Sequence, residues 1–184
     1  MNSFAIVIFA VVALAILWAV GLYNNFVKLI ARSEEARADI EVQLKRRYDL
    51  IPNLVETVKG YAAHEQGTLD KVVQARNAAM KGGSMAERAE EENMLTGALK
   101  SIFALSEAYP DLKANQNFLA LQQELSDTEN KIQAARRFYN GNVRDYNIKV
   151  QTFPTNLIAS NFGFKKEEFF DMDEGEKAVP QVTF

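Results

Sequence analysis

The chain has 184 residues, 21 basic and 24 acidic side chains, a formal charge of -3 at neutral pH and no cysteine. The lack of cysteine excludes a disulfide scaffold, thiol catalysis and a zinc-thiolate site. The charges are well mixed along the chain, so no basic stripe points to nucleic acid as a partner.

The first 27 residues carry no charged side chain, and Phe4 to Leu22 is a nearly unbroken apolar run. As a helix it spans roughly 28 Å, close to the hydrocarbon thickness of a bilayer. A single segment in that core can satisfy its backbone only as a helix. Phe4, Ile8, Val11, Leu14, Trp18 and Leu22 mark this anchor, with Trp18 and Tyr23 placed for the headgroup boundary. A cleaved secretory signal fits poorly, because no Lys or Arg precedes the run and Val20-Gly21-Leu22 is a poor cleavage site. Lys28, Arg32 and Arg37 come soon after the run. The positive-inside rule then puts the amino terminus outside and the carboxyl-terminal domain in the cytoplasm, at a cell (inner) membrane. Residues 1–27 are read as the transmembrane anchor, 28–153 as an antiparallel helical bundle, and 154–184 as a carboxyl-terminal tail, docked or mobile.

Few residues punctuate the chain beyond the anchor. The first helix is expected to run straight out of the membrane, with Ile30, Ile40, Leu44, Arg47 and Ile51 on one stripe, until Pro52 kinks or breaks it. A second helix carries Leu54, Val58, Tyr61, Leu69 and Val72 and stops near Lys81-Gly82-Gly83-Ser84. Ser84 with Glu87 forms a capping box for the third, which holds Leu95, Leu99, Ile102 and Leu105 and ends at Tyr109-Pro110-Asp111. The last long helix repeats Leu121, Leu125, Thr128, Ile132, Ala135, Tyr139, Val143, Tyr146 and Val150 at threes and fours, a heptad seam. Short connections make neighbours antiparallel, so the fold class is all-α: a transmembrane helix followed by an elongated antiparallel bundle. From Thr152-Phe153-Pro154 onward the pattern fails, leaving an aromatic tail with acidic neighbours.

The run Val42-Gln43-Leu44-Lys45-Arg46-Arg47-Tyr48-Asp49-Leu50-Ile51-Pro52-Asn53-Leu54-Val55, followed by Lys59-Gly60-Tyr61-Ala62 and His64-Glu65, resembles the LemA family signature. The resemblance continues through Leu112-Lys113-Ala114-Asn115, Asn117-Phe118, Leu121-Gln122, Glu124-Leu125, Ala135-Arg136-Arg137, Tyr139-Asn140, Tyr146-Asn147 and Phe153-Pro154. With the anchor it covers essentially the whole chain. It implies a membrane-anchored bundle of long antiparallel helices, in a four-helix arrangement, and carries no established activity. One departure is Arg37, where family members often have Trp.

Gln43, Arg46, Arg47 and Asn53 form a dense polar cluster beside the proline, and Arg47 falls in register with the packed face. A buried guanidinium needs a carboxylate, and Glu65 and Glu129 are the expected partners, with Arg76 and Arg136 nearby. The cluster reads either as a partner- or ligand-binding seam or as an ion network that fixes helix register. Tyr139-Asn140 and Tyr146-Asn147 repeat at seven residues and share a face, with the tyrosines as core and the asparagines bonding across to a neighbouring helix. His64 is the sole histidine, and Thr68 stands where a zinc-protease helix needs a second one. Neither a nucleotide loop nor a di-iron Glu-x-x-His pair is present. The chain is therefore read as a non-enzyme with no catalytic residue, metal or cofactor. It would act as a membrane-anchored scaffold or interaction platform that self-associates; the second class is a regulatory or sensory subunit of a membrane enzyme such as a protease. Its expected partners are the lipid bilayer, further copies of itself and a membrane protein.

Overall fold

The structure is a computed structural model and describes residues 3–170. Six helices make up the described chain, and no strand occurs among the described residues. Helix α1 runs unbroken from Ser3 to Lys59, 57 residues, which is about 85 Å at 1.5 Å per residue. It is followed by α2 (Gln66–Ala79), α3 (Met85–Ser106), the single turn α4 (Pro110–Lys113), α5 (Gln116–Gln151) and α6 (Thr155–Phe162).

Of the kink or break expected at Pro52, the break is absent, and the reason is local. Proline has no N–H to give the carbonyl four residues back, which here belongs to Tyr48. That carbonyl instead accepts from Arg76 Nε of α2 at 2.8 Å. With the orphaned acceptor satisfied from outside, α1 continues past the proline, and Leu54 and Val58 belong to it. The sequence-predicted second helix is thus divided. Chain reversal takes place at Gly60–Glu65, around the buried Ala62, and Leu69 and Val72 lie on α2.

The capping box at the start of α3 is present: Ser84 Oγ accepts from Glu87 N, and Ser84 N donates to Glu87 Oε2 at 2.9 Å. Gly82 and Gly83 before it adopt φ of 74° and 159°, and at Gly82 this left-handed conformation favours glycine. Asn115 caps α5 by accepting from Phe118 N.

The directions of the helices are fixed by the ties between them. Helices α1 and α5 are antiparallel, since Arg47 meets Glu129 in mid-bundle and Phe26 meets Tyr146 towards the apolar end. Arg88 of α3 pairs with Glu41 and Glu92 pairs with Arg47, so α3 runs parallel to α1. Helix α2 returns against both, and α1, α2, α3 and α5 form an up-down-up-down bundle. The heptad positions Leu125, Thr128, Ile132, Tyr139, Val143 and Tyr146 are buried, as the spacing predicts. Ala36, Ile40, Leu44, Ile51, Leu54 and Val58 of α1 meet Leu125, Ile132, Tyr139 and Val143 in one core.

A smaller core closes the bundle at the other end. Phe26, Leu29, Tyr146 and Ala159 pack there with Ile158 and Phe164 alongside. Its outer part comes from α6, a helix that the sequence pattern leaves as tail. Gly163, in the left-handed conformation at φ 75°, ends it. Residues 164–170 then lie extended along α5, and residues 171–184 of the tail are outside the described residues.

The amino-terminal part of α1 stands clear of this body. It is the one helix among the described residues long and apolar enough to cross a membrane, with mean hydropathy 2.9 over its most apolar window and none of that window buried. Phe4, Ile8, Val11, Leu14 and Trp18 are exposed, and Leu22 is half-buried.

Candidate functional site

Two polar constellations lie on the faces picked out by the sequence. The first is centred on Arg47, which is 1% exposed and is the largest fully buried side chain in the described chain. Its guanidinium pairs with Glu92 of α3 and, through Nη1, with Glu129 Oε2 of α5 at 2.5 Å and Thr96 Oγ1 at 3.0 Å. The Tyr48 hydroxyl donates to Glu92 from the other side. One cation on α1 therefore ties together two carboxylates from two different helices. Burial pulls the guanidinium below its ordinary value while Glu129 pushes it back up. Burial also raises the Tyr48 phenol, which keeps it a hydrogen-bond donor.

Glu129 is therefore placed as expected, and Glu65 is not. Glu65 sits at the start of α2 beyond the chain reversal and accepts from the Tyr109 hydroxyl at 3.1 Å. The second carboxylate of the seam is Glu92, which sequence reasoning missed. A signal for it exists: Met85, Ala89, Glu92, Leu95, Leu99 and Ile102 are the buried positions of α3 and are spaced by threes and fours. Glu92 sits at a core position of its own heptad. Of the neighbouring polar residues, Arg46 is exposed and 3.8 Å from Glu124, Asn53 is exposed, and Gln43 is half-buried. Arg37 is surface-placed and pairs with Glu41 at 3.6 Å. A groove of about 810 Å³ opens beside the seam between α3 and α5, lined by Thr96, Phe103, Gln122 and Glu129 among others. No three His, Asp or Glu side chains converge as a metal cage among the described residues.

The second constellation is the Tyr-Asn repeat of α5. Asn140 Nδ2 donates to the Phe170 carbonyl at 2.7 Å, while its Oδ1 accepts from Phe170 N at 2.9 Å. Asn147 does the same with Glu167, at 2.9 Å in both directions. Each carboxamide thus grips both polar groups of one residue's backbone. The two gripped residues are three apart and the two asparagines are one heptad apart. The Tyr139 hydroxyl adds a bond to the Glu168 carbonyl at 2.9 Å. The asparagines thus reach to an extended segment and not, as expected, to a neighbouring helix. Tyr146 is core, packed edge-on against Phe26. Arg136 belongs here as well, its guanidinium 4.6 Å above the Phe170 ring, which is itself 1% exposed. Burial and the nearby Glu34 raise the Glu167 carboxyl, with Ser33 and Arg37 acting the other way.

The first arrangement links three helices and the second links α5 to the extended segment after α6. Both tie buried polar groups of one segment to another, and in the first Arg47 Nε alone of the guanidinium nitrogens keeps no hydrogen-bond partner.

The model of the LemA family matches residues 36–184. The chain is 29% identical over 182 residues to Protein LemA of Metamycoplasma hominis, covering 96% of this chain and 82% of that protein. It is 27% identical over 175 residues to Magnetosome protein MamQ 2 of Paramagnetospirillum magneticum and 24% identical over 174 residues to Magnetosome protein MamQ of Magnetospirillum gryphiswaldense. In both cases 80% of this chain is covered and 64% of the MamQ protein, so the chain spans less than two thirds of those relatives.

Proposed function

The chain belongs to the LemA family, and on that premise we propose that it is a non-enzymatic scaffold of the inner membrane that presents its bundle as an interaction platform and self-assembles. The observation that carries this reading is the continuity of α1. One helix without a hinge runs from the apolar span to the far end of the bundle, so the body is held at a fixed direction to the anchor. The polar groups that could have formed a reaction centre are engaged within the fold: Arg47 by Glu92 and Glu129, and the asparagines by the tail. What remains for partners is long helical surface, with Val42, Met94, Leu119 and Phe138 exposed on it. Lys28, Arg32 and Arg37 orient the bundle towards the cytoplasm.

Crosslinking the full chain in intact membranes, followed by detergent extraction, tests this. A ladder of self-products is the expected result. A single stoichiometric enzyme partner with no self-product would replace the scaffold with a regulatory subunit, and release of the intact chain by alkaline carbonate would remove the membrane reading altogether. Reporter fusions at the carboxyl terminus that work only in the periplasm would reverse the orientation.

A further inference from the structure

Residues 152–163, Thr-Phe-Pro-Thr-Asn-Leu-Ile-Ala-Ser-Asn-Phe-Gly, form a second run without a charged side chain, in a chain in which 24% of residues are charged. The run includes all of α6. Part of it packs inward, through Ala159 and Ile158. The rest does not: Phe153 is 75% exposed, Leu157 56% and Phe162 59%. Large apolar side chains left open around one short uncharged helix call for a cover.

The position of α6 says what the cover is. The Phe162 ring lies 5.0 Å from the ring of Tyr23, edge to face, and Phe164 lies 5.6 Å from the same ring. Tyr23 is the residue directly after the Phe4–Leu22 apolar run. If that run fills the hydrocarbon core, Tyr23 is at the headgroup layer, and a side chain in contact with it is in the same layer. Helix α5 delivers the chain to this level, since it runs on past Tyr146, which faces Phe26, towards the anchor. Lysines flank the uncharged run on both sides, Lys149 before it and Lys165 and Lys166 after it, with Lys28 on α1 just beyond the anchor. Apolar side chains between lysines at headgroup depth have the make-up of an interfacial segment, which buries its apolar face by about 5–10 Å and draws its cations to acidic lipid.

We infer that α6 with the preceding Phe153 is a second membrane contact, lying in the bilayer interface beside the anchor with Phe153, Leu157 and Phe162 inserted and the flanking lysines on acidic headgroups. This rests on the reading of the apolar run as a membrane span. It adds to it a fixed rotational setting: one side of the bundle, the one bearing α6, faces the lipid.

Fluorescence quenching in vesicles tests both readings separately. Trp18 is the sole tryptophan, so the wild-type chain reports on the anchor alone. The full chain is reconstituted in phosphatidylcholine and phosphatidylglycerol brominated at shallow or deep acyl positions, and the Trp18→Phe/Leu157→Trp and Trp18→Phe/Phe153→Trp variants report on α6. Leu157 in α6 and Phe153 just before it are both open surface, and a far-ultraviolet spectrum checks that helix content is retained. The expected result is quenching of Trp18 and, for both α6 variants, blue-shifted emission quenched more by shallow than by deep bromines. An unquenched Trp18 would sink the anchor. With Trp18 quenched, water-like emission from both α6 variants would overturn the interfacial contact. Blue-shifted emission that bromine leaves untouched would also overturn it, since the cover would then be protein, a second copy included.

Discussion

Removing the Arg47 side chain is the most direct test of how the bundle is held together. Arg47→Met keeps the apolar stem of the side chain as far as Nε and loses only the guanidinium carbon and its two terminal nitrogens, so the packing loss is smaller than for truncation to alanine. The electrostatics are not kept. Glu129, whose side chain is 26% exposed, can turn to water, whereas Glu92 at 3% cannot. Glu92 keeps the Tyr48 hydroxyl as donor but loses its cation. Breaking a buried pair from one side costs about 3–5 kcal/mol, because the remaining charge stays in a dry site. Replacing both partners by apolar residues of similar volume is often neutral or stabilising. Arg47→Met/Glu92→Leu should therefore recover most of what Arg47→Met loses, despite removing more polar contacts. Glu92→Gln should cost less than Arg47→Met, since Arg47 retains Glu129. The assay is urea unfolding of the full chain in detergent, followed by helical circular dichroism and extrapolated linearly to zero urea. An Arg47→Met variant within about 1 kcal/mol of wild type, well below the buried-pair cost, would refute the reasoning. So would a double variant no more stable than the single one.

Three further outcomes are expected from the same geometry. Pro52→Ala restores an N–H for the Tyr48 carbonyl, so it should rescue an Arg76→Leu variant by about 1 kcal/mol more than it stabilises wild type; equal effects in the two backgrounds, read by the same unfolding assay, would contradict the pairing. Asn140→Asp keeps an acceptor for Phe170 N but sets a carboxylate oxygen against the Phe170 carbonyl; hydrogen exchange should show residues 164–170 losing protection while α2 and α3 keep theirs, and unchanged tail protection would rule the clamp out. Docking of the tail should also be pH-dependent through Glu167, whose carboxyl is raised by burial. A raised folded value means extra protons in the docked state, so docking is strongest below the ordinary glutamate range and weakens as pH rises through the folded value. Tail protection measured against pH should fall across that window and flatten in Glu167→Gln; the same slope in both would exclude Glu167 as the source.

Much of the bundle is legible in the sequence because its helices repeat at a heptad period. The core of α5 from Leu125 to Tyr146 and the capping box at Ser84 can be read residue by residue. Where the pattern misleads, the cause is a contact distant in sequence. Nothing near Pro52 announces that Arg76, 24 positions later, will stand in for the missing amide. Glu92 emerges as the seam carboxylate only when the α3 heptad is extended through Ala89 and Leu95, whereas Glu65, expected at a seam-side position, is carried away from Arg47 by the chain reversal at 60–65. The Tyr-Asn repeat is visible as a shared face, but its partner is an extended segment with no periodicity of its own. Helix α6 is short, and its inward face is only Ile158 and Ala159, too little for a periodic signal.

The unhinged α1 makes the molecule a lever. From Leu22 to Lys59 it extends about 55 Å beyond the apolar run, and spans in bilayers lean by about 20° on average. A lean of that size carries the distal tip sideways by about 20 Å. Membrane thickness, which governs lean, thereby governs where the tip can reach. One residue inserted into the helix after the span would swing the whole body about its axis by about 100°.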